Sequence, residues 1–237
     1  MLAGPTSSIF LMCRAIARTC NTLEVAAKVD LDRSPEDRAF FVAEAEKLKP
    51  IRGLLIAQFR AVQDHQLGIG DLNQSAVRLG DEVLDRGVRA GNARTKLGLK
   101  GKSGLGADHV FGHRIDELTD VPHRQEPGLV RGAIARLDEL PDFDDKAKVK
   151  VDLQARVDLQ DGLLATRDAS NTDLAKLESE AVKLVVDAAM LLVQTKSALD
   201  GRFPRQRAYV SRFFLDVSAK RHRDDNDDAG TEGASGT

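Results

Sequence analysis

Apolar residues recur at alternating intervals of three and four towards the C-terminal end of this 237-residue chain, and this pattern constrains the fold most strongly. The repeating positions are Leu174, Leu177, Ala181, Leu184, Ala188, Leu191 and Thr195. A helix with this spacing carries an apolar stripe that must be covered by another helix. A second stripe with the same alternation occupies Ile9, Cys13, Ile16, Cys20, Leu23 and Ala27. The sequence therefore predicts helices that pack on helices.

The composition agrees with a helical fold. Aromatic residues make up 4% of the chain and Trp is absent, whereas β-rich domains depend on aromatic and β-branched side chains. Apolar residues at 42% and charged residues at 30% are typical of a globular protein. No apolar run reaches the roughly 18 residues of a transmembrane helix, so we expect no membrane partner. We predict an all-α fold, an elongated antiparallel bundle of about six to seven helices.

Glycine-rich and acidic stretches divide the chain into segments. We expect residues 1–98 to form N-terminal helices and residues 99–126 to form a Gly-rich loop or linker. Residues 127–223 are predicted to form C-terminal helices that pack with the N-terminal ones as one bundle. The acidic stretch 224–237 is predicted to be disordered, because its composition cannot form a core.

Local motifs predict where several helices begin and end. Ser34 followed by Pro35 is a typical helix start, because Ser caps the first turn and Pro fits the first helical position. Glycines within 67–70 predict the end of a helix. A turn is favoured at 169–172, where Ser170 is suited to cap the helix that follows.

Three glycines lie inside the helix predicted after residue 70, at Gly80, Gly87 and Gly91. Each costs about 1 kcal/mol of helix propensity relative to Ala. Their presence indicates either the close approach of a neighbouring backbone or a locally weak helix.

The charges and cysteines are those expected of a cytoplasmic protein. The chain has 35 basic and 37 acidic side chains, and this balance requires neither nucleic acid nor an anionic membrane. Cys13 and Cys20 lie two helical turns apart, roughly 10 Å along the axis, which is too far for a disulfide. We expect both to be reduced core residues. The N-terminal residues do not resemble a signal peptide.

Two histidines raise the question of a metal site. His109 and His113 are four residues apart, and on one helical face they could bind one zinc ion. Gly112 disfavours a helix there, and two such histidines in a polar loop ordinarily bind no metal. The Glu-x-x-His pairs of di-iron bundles and the His-Glu-x-x-His motif of metalloproteases are absent. We predict no cofactor and keep the zinc site as an alternative.

A basic segment supplies a second alternative, nucleic-acid binding. Its side chains are Arg86, Arg89, Arg94, Lys96, Lys100 and Lys102, with no acidic residue between the first and the last. Clustered positive charges are sufficient for phosphate contacts. A solvated basic face, balanced by acidic groups elsewhere, is the other interpretation of the same pattern.

Motifs for catalysis are absent from the sequence. There is no Gly-x-Ser-x-Gly motif, and Gly101-Lys102-Ser103 lacks the earlier glycine of a phosphate-binding loop, since Lys96 holds that position. We predict a structural or scaffolding protein that acts through helix–helix contacts, with itself or with a protein partner. The expected interface residues are Leu174, Leu177, Leu184 and Leu191. Nucleic-acid binding, an unrecognised enzyme and a metal-binding bundle stay as alternatives.

Overall fold

The computed structural model describes residues 2–216, and within this range the protein consists of helices without strands. The helices are α1 (Ile9–Val29), α2 (Pro35–Asp64), α3 (Asp71–Gly98), α4 (Ala107–Phe111), α5 (Asp116–Thr119), α6 (Glu126–Arg136), α7 (Lys146–Arg202) and α8 (Arg207–Ser211). A π-helical turn, His65–Gly70, connects α2 to α3, and a 3₁₀ turn, Leu137–Glu139, follows α6. The all-α helical bundle is confirmed. The predicted disordered tail, 224–237, lies outside the described residues.

The predicted start of α2 is confirmed in its details. The Ser34 hydroxyl accepts a hydrogen bond of 3.1 Å from the backbone N–H of Asp37, and Pro35 is the first helical residue. Asp37 and Glu36 bring negative charge to the first turn, where the helix dipole favours it. Ser8 caps α1 in the same way, accepting from the backbone N–H of Leu11.

Two predicted helix ends are wrong. Gly70 keeps a right-handed helical conformation, with φ −62° and ψ −52°, so the chain passes through the π-helical turn without leaving the helix. A glycine ends a helix when it adopts a left-handed conformation, as Gly112 does at φ +77° after α4. The predicted turn at 169–172 is also wrong, because α7 continues without a break for 57 residues. Ser170 lies inside it, buried, with its hydroxyl oxygen 3.1 Å from Nε2 of His65.

The described helices belong to two compact units. Unit A comprises Met1–Gln63 and Lys176–Thr237, of which 2–63 and 176–216 are described, and unit B comprises Asp64–Ala175. In unit A, α1, α2 and the C-terminal part of α7 bury a common core. Its largest fully buried side chains are Met12, Ile16, Leu23, Phe41, Leu48, Leu55, Leu192 and Phe213.

The two cysteines belong to this core, as predicted. Cys13 and Cys20 are both buried and free. The Sγ atom of Cys20 lies 3.7 Å from the Ala45 carbonyl oxygen, to which it donates a weak hydrogen bond. Burial raises the pKa of the Cys13 thiol, which makes it less reactive.

An aromatic cluster closes one end of the unit A core. The Phe41 and Phe203 ring centroids lie 5.6 Å apart, and Tyr209 meets Phe203 edge-on at 5.7 Å. The Arg33 guanidinium lies 4.3 Å from the centre of the Tyr209 ring, and the Tyr209 hydroxyl donates to Asp30 at 2.8 Å. Burial and the Asp30 carboxylate together raise the pKa of Tyr209 to about 12.

Unit B has its own core, built by α3, α4, α6 and the N-terminal part of α7. The side chains that form it include Leu84, Val88, Val110, Phe111, Val130, Ala133, Leu137, Leu153 and Val157. Part of this core comes from the stretch 99–126 that the sequence predicts as a loop. The short helices α4 and α5 lie within that stretch and bury Phe111 and Leu118.

The glycines of α3 mark close packing against side chains. A Cβ atom on Gly80 would lie 2.5 Å from Cδ1 of Leu163 and closer still to Oε1 of Gln160. A Cβ atom on Gly98, at the other end of α3, would lie 2.6 Å from the Phe143 ring. At Gly80 the structure shows close approach, and it is made by side chains and not by a neighbouring backbone.

Replacing Gly80 by Ala should therefore destabilise unit B. We expect a loss of about 1–3 kcal/mol, because overpacking outweighs the gain of roughly 1 kcal/mol in helix propensity. Gly162 in α7 is the matched control, since a Cβ atom there would meet nothing within 4 Å. Gly162→Ala should raise the free energy of unfolding by up to about 1 kcal/mol. Urea denaturation followed by circular dichroism measures both changes, and equal stabilisation would contradict the packing described here.

Candidate functional site

Two of the four leucines predicted as an interface pack against the chain's own core. Leu184 and Leu191 are half-buried and pack against the unit A core. The Leu177 carbonyl accepts a hydrogen bond of 2.8 Å from the Gln58 side chain, and Leu174 is half-buried. Fully buried residues of α7 lie beside them, at Ala181, Val185, Ala188, Leu192 and Leu199. The part of the predicted stripe from Ala181 to Leu191 thus contributes to the chain's own packing.

A different side of α7 carries apolar residues in contact with solvent. Val182, Val186, Met190 and Val193 are 61%, 37%, 53% and 55% exposed. Together with Ser179 they follow intervals of three, four, four and three, which keeps all five on one side of the helix. We call these five residues the exposed α7 face. An apolar helix face in water is the usual mark of a contact with another protein.

The first residues of the chain extend this apolar surface. A groove of about 390 Å³ is lined by Leu2, Ala3, Gly4 and Pro5 on one side and by Val186, Ala189, Met190, Val193 and Gln194 on the other. A second groove of about 460 Å³ is lined by Pro5, Thr6, Ser7, Ser8, Ile9, Val62, Glu178, Ala181, Val182 and Val185. The exposed α7 face is therefore flanked by two mainly apolar depressions.

Charged residues of both signs border the exposed α7 face. Lys183 and Asp187 are exposed and lie one helical turn apart along one edge. Glu178 and Lys196 lie along the opposite edge, and Lys196 also pairs with Asp200 in the same helix. Apolar centres bordered by charges of both signs are typical of helix–helix interfaces, where the charges select partner and orientation.

The basic segment is largely engaged by neighbouring oxygen atoms. Arg94 pairs with Asp152 at 2.8 Å and Lys96 with Asp108 at 3.4 Å. The other contacts are Arg86 with the Glu82 carbonyl, Arg89 with Asp85, and Lys102 with the Asp142 carbonyl, while Lys100 is exposed. The three aspartate partners, Asp85, Asp108 and Asp152, neutralise part of the charge that phosphate binding would use.

The two candidate zinc ligands do not share a helical face. The helix α4 ends at Phe111, and His113 lies beyond Gly112, with its side chain 92% exposed. Nε2 of His109 lies 2.6 Å from a carboxylate oxygen of Glu139. Across residues 2–216, no group of three or more His, Cys, Asp or Glu side chains has the arrangement needed to hold a metal ion.

A buried carboxyl cluster in unit B is the feature that the sequence does not reveal. Glu126, at the start of α6, is fully buried, and neither of its carboxyl oxygens has a hydrogen-bond partner. Asp81 and Asp85 of α3 lie against it, and Nδ1 of His123 is 2.6 Å from Asp81. Burial and then the two aspartates raise the pKa of Glu126 to about 9. In the sequence, Glu126 is only an acid in the first turn of a helix.

No protein family, curated protein or solved structure compared with this chain matches it. Within the described part of the chain, none of the helices is sufficiently long and apolar to cross a bilayer.

The inward orientation of the predicted leucines can be tested directly. Leu191→Asp should lower the free energy of unfolding by roughly 1–3 kcal/mol, because it places a charge against the unit A core. Met190→Asp, one residue away on the exposed side, should change it by no more than about 0.5 kcal/mol. Urea denaturation at submicromolar protein concentration measures both. Similar effects of the two substitutions would contradict this orientation of α7.

Proposed function

We propose that this chain is a structural or scaffolding protein that self-associates through the exposed α7 face. The observation that carries the proposal is the symmetry of that face. Its intervals of three, four, four and three are the same in either direction from Val186. A surface that matches its own reversed copy suits an antiparallel pair related by a two-fold axis.

The proposed pairing follows from this symmetry. With the two-fold axis at Val186, positions equally distant from Val186 face each other. Val186 then meets Val186 of the second copy, and Val182 meets Met190 of the second copy. Ser179, a small residue, faces Val193. Apolar groups that are 37–61% exposed in one chain would become covered in the pair.

The bordering charges support the same arrangement. Asp187 of one copy lies opposite position 185 of the other, which is two residues, or about 3 Å along the axis, from Lys183. By symmetry, Lys183 of the first copy lies equally near Asp187 of the second. On the opposite edge, Glu178 comes equally near to Lys196 of the second copy. Opposite charges therefore meet on both edges, which favours the antiparallel orientation.

The size of the face indicates a dimer that exchanges with monomer. Stable interfaces bury about 800 Å² on each partner. Five residues of one helix supply less than this, and the flanking grooves supply the remainder of the apolar contact. We expect dissociation in the micromolar range, at about −8 kcal/mol of binding free energy.

Sedimentation velocity over a range of protein concentrations tests the proposal. The wild-type chain should pass from monomer to dimer, whereas Val186→Asp should stay monomeric, because it places two like charges together at the symmetry axis. Val25→Asp in α1 is the matched control, since Val25 is 53% exposed and lies outside the face. A wild-type chain that is monomeric at all concentrations would contradict the proposal, as would a dimeric Val186→Asp variant.

Cysteine crosslinking tests the orientation. Val186→Cys should form a disulfide dimer on mild oxidation, because the two substituted positions face each other. Ser179→Cys alone should not do so in an antiparallel pair, since Ser179 faces Val193. A mixture of Ser179→Cys and Val193→Cys chains should crosslink. Efficient self-crosslinking of Ser179→Cys would overturn the antiparallel arrangement.

Nucleic-acid binding and a cytoplasmic location remain predictions from the sequence. The partners of Arg94 and Lys96 weigh against the basic segment as a phosphate-binding surface. The free cysteines, Cys13 and Cys20, are compatible with a reducing compartment, which supports the proposed location. Absorbance at 260 nm during purification would reveal any bound nucleic acid.

A further inference from the structure

Glu126 lacks the partner that a buried carboxylate requires. Its side chain is fully buried, and both carboxyl oxygens are without a hydrogen bond. One oxygen of Asp85, Oδ1, is also buried without a partner. Ionised carboxylates only accept hydrogen bonds, so carboxylates that face each other in a core lack any donor. Such an arrangement is stable when a positive charge lies among them.

Of the three carboxyl groups in the cluster, Glu126 is the one without a positively charged or hydrogen-bond-donating neighbour. Asp81 and Asp85 of α3 act on Glu126 directly. Arg89 of α3 and Asp120 after α5 act on Asp85, and His123 before α6 contacts Asp81. His123 lies against Asp81 at 2.6 Å, and Arg89 lies 3.9 Å from Asp85. Each aspartate therefore has a cationic or donor neighbour, whereas Glu126 has none.

We propose that unit B contains a proton-binding site in which Glu126 retains a proton at neutral pH and donates it to Asp81 or Asp85. The shared proton connects the start of α6 to α3, and its loss at alkaline pH weakens that connection. The bound proton converts a contact between two acceptors into a hydrogen bond to a carboxylate. This site lies outside the exposed α7 face, so the proton-binding proposal does not depend on the proposed self-association.

The electrostatics of the site agree with this geometry. Burial, and after it the neighbouring Asp81 and Asp85, together raise the pKa of Glu126 to about 9. Burial also raises the pKa of Asp85. A glutamate in the unfolded chain titrates near 4.3. Between roughly pH 4.3 and 9, Glu126 therefore holds a proton in the folded chain that it has lost in the unfolded chain.

The sign of the pH dependence follows from this difference. Stability from the proton is fully present below about pH 4.3, falls as pH rises, and is lost above about pH 9. Across this window, the group by itself raises the unfolding equilibrium constant about tenfold for each pH unit.

Urea denaturation of the full chain between pH 5.5 and 9.5 tests the proposal. Glu126→Gln keeps a side-chain donor but cannot titrate. The unfolding equilibrium constant of this variant should therefore rise about tenfold less per pH unit than that of the wild type. Glu82→Gln, an exposed position on α3, is the matched control and should keep the wild-type dependence. Equal pH dependence of wild type and Glu126→Gln would overturn the proposal.

Carbon-13 NMR of the wild-type chain provides a measurement that does not depend on whether the variant folds. The Glu126 carboxyl resonance should titrate near pH 9, and a midpoint near pH 4.3 would overturn the proposal. Adding Ca²⁺ or Zn²⁺ at pH 9 distinguishes a metal ion from a proton. Stabilisation of the wild type but not of Glu126→Gln by either metal would show that a metal ion, and not a proton, belongs among these carboxyl groups.

Discussion

Burial of the inward side of α7 is the constraint on which the remaining structure depends. This helix runs from Lys146 to Arg202 and supplies residues to both cores. Its N-terminal part contributes Leu153 and Val157 to unit B, and its C-terminal part contributes Val185 and Leu192 to unit A. Because an isolated helix is barely stable in water, packing on these side chains accounts for most of its stability. Within unit A, α1 and α2 cover its C-terminal part, and within unit B, α3 and α6 cover its N-terminal part.

A helix that is apolar on more than one side still exposes apolar side chains to solvent after one side has been buried in a core. In α7 the core takes Ala181, Val185 and Ala188, and the exposed α7 face includes the adjacent position, Val182. Helices covering one side do not cover the other, because neighbouring residues point about 100° apart around the axis. The proposed dimer is the simplest way to cover a surface whose pattern matches its own reverse. Scaffolding by self-association would then be a consequence of an excess of apolar surface on a single helix.

The carboxyl cluster illustrates a second constraint, the cost of burying charge. Asp81 and Asp85 lie one turn apart on α3, and this spacing gives them a common side. Glu126 joins them only because α6 begins close to that side in the folded unit. An ionised carboxylate there would be strongly destabilising, so the fold favours the protonated form. The proposed proton is in this sense part of the structure of unit B, in the same way as a buried side chain.

The sequence by itself determined the helical class, the N-cap at Ser34, and the burial of Cys13 and Cys20. These features depend on local spacing and capping chemistry, which a single segment contains. The tertiary structure decided the passage through Gly70, the continuity of α7 at Ser170, and the choice of Val186 over Leu184 as a solvent-facing residue. Glycine allows both helix and helix end, and a stripe of Leu suits a core and an interface equally. Only the neighbouring elements settle such choices, because the free energy that distinguishes them comes from contacts distant in sequence.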